Sequence, residues 1–125
     1  MLSAVCLGTN DLAAARAFYD VVLAELGLAA LVAESHEIGY GRPGKRPLLW
    51  IVIPFNEEPA TFGNGTQVMF EARDPAQVDA VHWLMLERGG TDEGAPGPRA
   101  YAAGYYGAYA RDLDGNKIHI FYLPD

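Results

Sequence analysis

The chain has 125 residues, half of them hydrophobic and a fifth charged, enough to bury roughly two-thirds of its extended-chain surface around one core without staples. Its formal net charge of −7, with nine Lys and Arg residues scattered along the sequence, offers a nucleic acid no basic stripe through which counterion release could act. No apolar run approaches the roughly 20 residues that cross a bilayer, and a lone cysteine, Cys6, excludes an internal disulfide framework and suits a reducing compartment.

The expectation is one cytoplasmic domain over residues 1–125. The opening Leu2-Ser3-Ala4-Val5-Cys6 superficially matches a lipoprotein cleavage box, but it lacks the basic and long apolar regions of such a signal, and residues 4–7 read better as a strand. Asn10-Asp11 then supplies helix-start chemistry. Leu12, Ala15, Tyr19, Val22 and Leu26 recur at three- and four-residue steps, which predicts one apolar stripe on a helix that Gly27 ends. Strands are predicted over 29–33, 38–41 and 48–53, separated by the turn residues Ser35-His36-Glu37 and Arg42-Pro43-Gly44-Lys45. Residues 54–65, with prolines, glycines and glutamates and no periodicity, read as a linker.

The same order then recurs. Residues 67–72 read as a strand, Asp74-Pro75-Ala76-Gln77 as a helix start with a capping-box acceptor and proline at N1, and Val78, Val81 and Met85 as the apolar stripe. Gly89-Gly90 stops that helix, residues 92–97 read as a loop, and strands follow over 105–111 and 117–123. Asp112-Leu113-Asp114-Gly115-Asn116 joins them with turn residues. Strand, helix, then several strands, done twice, is not the alternation of a doubly wound parallel sheet; short turns pair neighbouring strands mostly antiparallel. The predicted class is α+β: two βαβββ modules, about 1–55 and 65–125, whose mixed curved sheets surround a cleft.

Four segments carry a resemblance that runs over nearly the whole chain: Leu7-Gly8-Thr9-Asn10-Asp11-Leu12 with Arg16-Ala17-Phe18-Tyr19-Asp20; Leu23-Ala24-Glu25-Leu26-Gly27; Gly63-Asn64-Gly65-Thr66; and Arg111-Asp112-Leu113-Asp114-Gly115-Asn116. In that order they resemble the vicinal oxygen chelate superfamily of glyoxalases, bleomycin resistance proteins and extradiol dioxygenases. The last segment is close to its Arg-Asp-Pro-Asp-Gly-Asn turn, with Leu113 in place of proline. The resemblance implies a paired βαβββ fold, often homodimeric, whose members bind a divalent metal and chelate adjacent substrate oxygens. Family chemistry spans isomerases, epimerases, dioxygenases, thiol transferases and metal-free drug-binding proteins, so the fold does not choose the reaction.

The family's metal ligands, carried over by strand and flanking motif, fall on Ala4, Trp50, Gln67 and His119. Alanine and tryptophan cannot ligate, Gln67 offers a neutral amide oxygen, and only His119 is a good transition-metal ligand. The expectation is therefore no metal and no other cofactor; if a metal is present, Gln67 and His119 are its ligands. Cys6, one pleat from Ala4, would displace a ligand by roughly 7 Å. Strand parity independently puts Ile118 and Ile120 on one face and His119 with Phe121 on the other, Gln67 with Met69, and Ala4 with Cys6.

His119 is the candidate catalytic residue, since imidazole titrates near neutrality; the alternative is a polar cleft residue hydrogen-bonded to Gln67. Candidate ligand-binding residues are Cys6, Trp50, Gln67, Met69, Tyr105, Tyr109, Arg99 and Phe121. Tyr105 and Tyr109 share a strand face and can offer rings and hydroxyls. Arg99 and Arg111 could fork onto an anion; Arg99 sits in a loop that could act as a cover, and Arg111 is expected to pair with Asp112 or Asp114. Glu71 is the least implausible carboxylate rescue for a metal, whereas His36 and His82 read as surface or packing residues.

Three functions are weighed. The first is a metal-independent protein that binds a small aromatic-containing molecule. The second is a metal-dependent lyase, isomerase or dioxygenase of the lactoylglutathione lyase kind. The third is a non-catalytic interaction module.

Overall fold

A computed structural model covers residues 1–125. The chain runs β1 (Val5–Gly8), α1 (Leu12–Ala24), β2 (Ala29–Ala33), β3 (Glu37–Gly41), β4 (Leu49–Val52), then β5 (Gln67–Glu71), α2 (Pro75–Glu87), β6 (Thr91–Pro98), β7 (Tyr106–Arg111) and β8 (Lys117–Tyr122). Its α+β fold consists of two four-stranded sheets of identical topology, β1-β4-β3-β2 and β5-β8-β7-β6. In each, the first strand pairs parallel with the last and the remaining neighbours are antiparallel. Short turns produce the antiparallel pairs, and the helical crossover permits the parallel one. No helix is long and apolar enough to cross a membrane.

Both helices start and stop by the same devices. Asp11 and Asp74, in extended backbone, cap the helices by accepting from Ala14 and Gln77 N–H groups, satisfying donors that have no partner within the first turn. At the other end, Gly27 and Gly89 take φ of 77° and 98°, so the Leu28 and Gly90 amides return to the Leu23 and Met85 carbonyls. That left-handed turn is easy for glycine. Ala15, Phe18, Tyr19, Val22 and Leu23 of α1 and Val78, Val81 and Met85 of α2 are buried. They join Leu49, Ile51, Ile118 and Ile120 in one apolar cluster drawn from both sheets.

The expected loop at 92–97 is instead part of strand β6, which pairs with β7 through two register shifts, between Asp92 and Gly94 and between Gly94 and Gly97. Bulges break the two-residue alternation that identifies a strand. Pro96 and Pro98 are tolerated because β6 is an edge strand. The linker, residues 54–65, carries no helix or strand; the Asn10 side chain holds it by accepting from Ala60 N–H and donating to Ala60 C=O.

The turn between β7 and β8 connects the two halves. Buried Asp112 accepts from the Tyr19 hydroxyl of α1, from the Asp114 and Asn116 amides, and from the Asn116 side chain, which also donates to the Gly8 carbonyl at 3.0 Å. Burial and the adjacent carboxylate hold the Tyr19 phenol well above its ordinary pKa, so it remains a donor. The Asp-Gly-Asn signature thus acts as a clasp between the halves.

Candidate functional site

Strand parity divides β8. Ile118 and Ile120 enter the core, while His119 points to the opposite, open face of the second sheet, where it is nonetheless only 1% exposed. Aromatic neighbours cover it. The Tyr109 ring stacks on the imidazole with centroids 4.0 Å apart, and Tyr105 and Phe121 lie at 5.9 and 5.7 Å. Beneath the ring lies Gly107, where a Cβ would come within 2.7 Å of His119 Cε1. Glycine at this position makes room for a flat imidazole.

Hydrogen bonding fixes the tautomer. His119 Nδ1 is 2.9 Å from the Ala108 carbonyl, which only accepts, so Nδ1 carries the proton. The Nε2 lone pair then receives the Tyr105 hydroxyl at 2.7 Å. Desolvation lowers the imidazole pKa, opposed by the Ala108 bond and reinforced by the Arg99 and Lys117 charges, so neutral imidazole prevails. The anticipated bond to Gln67 is absent because Gln67 pairs in register with Lys117; Met69 is the residue opposite His119.

A pocket of about 380 Å³ opens on this face, lined by Gln67, Met69, Tyr101, Tyr105, Tyr109 and His119. Five residues singled out from sequence therefore meet in one place, and Phe121 stacks beside them on Tyr105 at 5.4 Å. Tyr101 and Tyr109 join hydroxyls at 2.7 Å. Cys6 and Trp50, register partners on β1 and β4, lie on the other sheet and line no part of this pocket; Cys6 is exposed and Trp50 half-buried over Gly39. An apolar cleft of about 580 Å³ between the free edges of β1 and β5 contains Ala4, Gln67, Met69 and Glu71 but not His119. The smaller pocket is the better candidate because its polar groups converge with aromatic faces.

The arginines differ from expectation. Arg111 pairs with Glu93 of β6 and donates to the Gly115 carbonyl, not to Asp112 or Asp114, because the clasp turns Asp112 inward. Arg99 covers no opening; its guanidinium folds back onto the Ala95, Gly97 and Pro98 carbonyls, 5.6 Å from the Tyr109 ring centroid. His82 is buried against Asp92 at 2.9 Å, and exposed His36 lies between Glu34 and Glu37. Lys117 and Tyr101 were not selected from sequence. Lys117 was legible, being two residues before His119 on the same strand face, whereas Tyr101 lies in the irregular stretch between β6 and β7, where parity says nothing.

The model of the Glyoxalase/Bleomycin resistance protein/Dioxygenase superfamily matches residues 2–120. A crystal structure of a glyoxalase/bleomycin resistance protein from Albidiferax ferrireducens T118 is 41% identical, with a TM-score of 0.87 over 98% of each chain. A glyoxalase-related enzyme from Fulvimarina pelagi (20% identity, TM-score 0.78, 99% of this chain and 88% of that one) shares the fold. So does a lactoylglutathione lyase from Agrobacterium tumefaciens (24%, 0.68, 98% and 92%). No curated protein matches the chain. The repeated βαβββ topology, the clasp turn and these likenesses place the chain in the glyoxalase/bleomycin resistance protein/dioxygenase superfamily.

Proposed function

We propose that this protein binds a small aromatic-containing molecule against the Tyr105–His119–Tyr109 face, without a metal. The observation that carries the reading is the stacked, hydrogen-bonded state of His119, with one nitrogen donating to Ala108 and the other accepting from Tyr105. The residues at the family's metal-ligand positions do not fit a divalent cation. Ala4 and Trp50 supply no donor, Gln67 is a neutral amide, and the His119 lone pair is already engaged by a phenol. The pocket walls of Tyr101, Tyr105, Tyr109 and Met69 offer a flat guest both ring and apolar contacts, and the Tyr101–Tyr109 hydroxyl pair can orient it. Once Tyr105 turns away from Nε2, the freed lone pair of neutral His119 could accept a proton from such a guest, which keeps His119 the candidate catalytic residue. The same reading takes residues 1–125 as one domain acting as a cytoplasmic homodimer, with the apolar β1–β5 cleft available to a second copy.

Thermal shifts of purified protein against phenols, naphthols and heterocycles test the binding reading. Stabilisation by some of them that Tyr109→Ala abolishes is expected. Elemental analysis with zinc, nickel, manganese and iron titrations tests the metal. One equivalent bound tightly, and lost in His119→Ala, would favour the metal-dependent enzyme instead.

A further inference from the structure

The aromatic pocket does not end at the Tyr101–Tyr109 hydroxyl pair. Beside it lies a polar cavity of about 500 Å³ that shares Gln67, Tyr101 and Tyr109 with it and adds Thr66, Arg111 and Lys117. Glu93 also lines this cavity, but its carboxylate is paired with Arg111, so those two charges cancel. Lys117 has no carboxylate within salt-bridge distance, and its ammonium sits 5.0 Å from the Tyr109 ring centroid. Arg99 approaches the same ring and bonds only to neutral carbonyls. On a chain of net charge −7, Lys117 gives the cavity wall a cation without a counter-ion, and Arg99 adds positive charge near the same ring without lining either cavity.

The hydroxyls favour the same kind of guest. One proton of the Tyr101–Tyr109 pair is used between the two oxygens, leaving the other to donate outward. Burial and the Tyr101 bond push Tyr109 up to about 12, so Tyr109 keeps its proton at neutral pH. Tyr105 donates to His119 and has none to spare. One half of the double cavity therefore presents rings and the other presents donors and positive charge.

We infer that the ligand is an aromatic carboxylate, its ring against Tyr105, His119 and Met69 and its carboxylate directed past the Tyr101–Tyr109 pair toward Lys117. This rests on the aromatic-binding reading above and adds the guest's charge. An anion that exchanges water for an ammonium and a phenol gains charge-assisted hydrogen bonds that a neutral isostere does not.

Calorimetric titration of the intact protein with 2-naphthoate and 2-naphthamide separates the two readings. The expected result is naphthoate binding tighter than naphthamide by roughly tenfold. Lys117→Met should reduce that preference to about twofold or less, while Lys117→Arg retains it. Equal affinity for both probes, lost together in Tyr109→Ala, would overturn the carboxylate inference and leave the aromatic pocket standing; so would a preference that survives Lys117→Met. Failure of both probes to bind at millimolar concentration would remove the pocket reading as well.

Discussion

Trp50 on β4 and His119 on β8 occupy corresponding places in the two sheets, each on the strand that pairs parallel with the first strand of its half, and each over a glycine of the neighbouring antiparallel strand. A Cβ at Gly39 would come 2.8 Å from the Trp50 ring, and one at Gly107 would come 2.7 Å from the imidazole. The two halves share the backbone device and differ in its cargo. Trp50 is only partly buried and its indole makes no hydrogen bond, whereas His119 is buried and held at both nitrogens. The first sheet therefore offers an indole held by packing alone, and the second a polar aromatic group fixed in one tautomer.

The turns before these strands differ just as much, and they provide the largest test of the asymmetry. Asp112→Ala removes the acceptor for Tyr19, Asn116 and Asp114 and leaves a buried phenol unpaired; a loss of roughly 3–4 kcal/mol in urea unfolding is expected. Arg46→Ala, in the corresponding β3–β4 turn, should change stability by no more than about 0.5 kcal/mol. Similar losses at both positions would show that the clasp has no special role.

The two glycines give the next contrast. Gly107→Ala forces His119 off its stack or its bonds, for which overpacking costs of roughly 2–3 kcal/mol are expected. Gly39→Ala should cost less, about 1 kcal/mol, because it presses on the edge of a partly exposed Trp50 ring that holds no hydrogen bond. Equal melting-temperature losses would mean that Trp50 is held as firmly as His119. Tyr105→Phe keeps the ring and deletes only the donor to Nε2, so an unfolding cost of about 1–2 kcal/mol from the orphaned acceptor is expected.

The smallest effect is a dependence on pH. Because desolvation depresses the His119 pKa below its ordinary 6.5, the unfolded chain binds the proton first as pH falls. The contribution of neutral His119 is complete above about 6.5, declines as pH falls through the depressed folded value, and levels off below it. The difference in unfolding free energy between wild type and His119→Gln should follow that course. A difference independent of pH between 5 and 8 would show that His119 titrates alike in both states.

Much of the architecture was legible because local chemistry repeats. Asp11 and Asp74 cap, Gly27 and Gly89 terminate, and the alternation of Ile118, His119, Ile120 and Phe121 divides β8 into two faces. β6 was not legible, since two bulges and two prolines erase a period of two. Within the site, parity grouped His119 with Phe121 and Gln67 with Met69, yet nothing in one dimension shows that Tyr105, and not Gln67, reaches Nε2.

By itself the sequence determined the order of elements, the repeated module and the apolar stripes, because each depends on residues within a turn or a pleat of one another. Only the tertiary structure decided that His119 is covered by Tyr105 and Tyr109, that Arg111 pairs with Glu93, and that Asp112 reaches Tyr19. Those contacts depend on strand register and on how the halves meet, and such distances are set by packing across the whole chain.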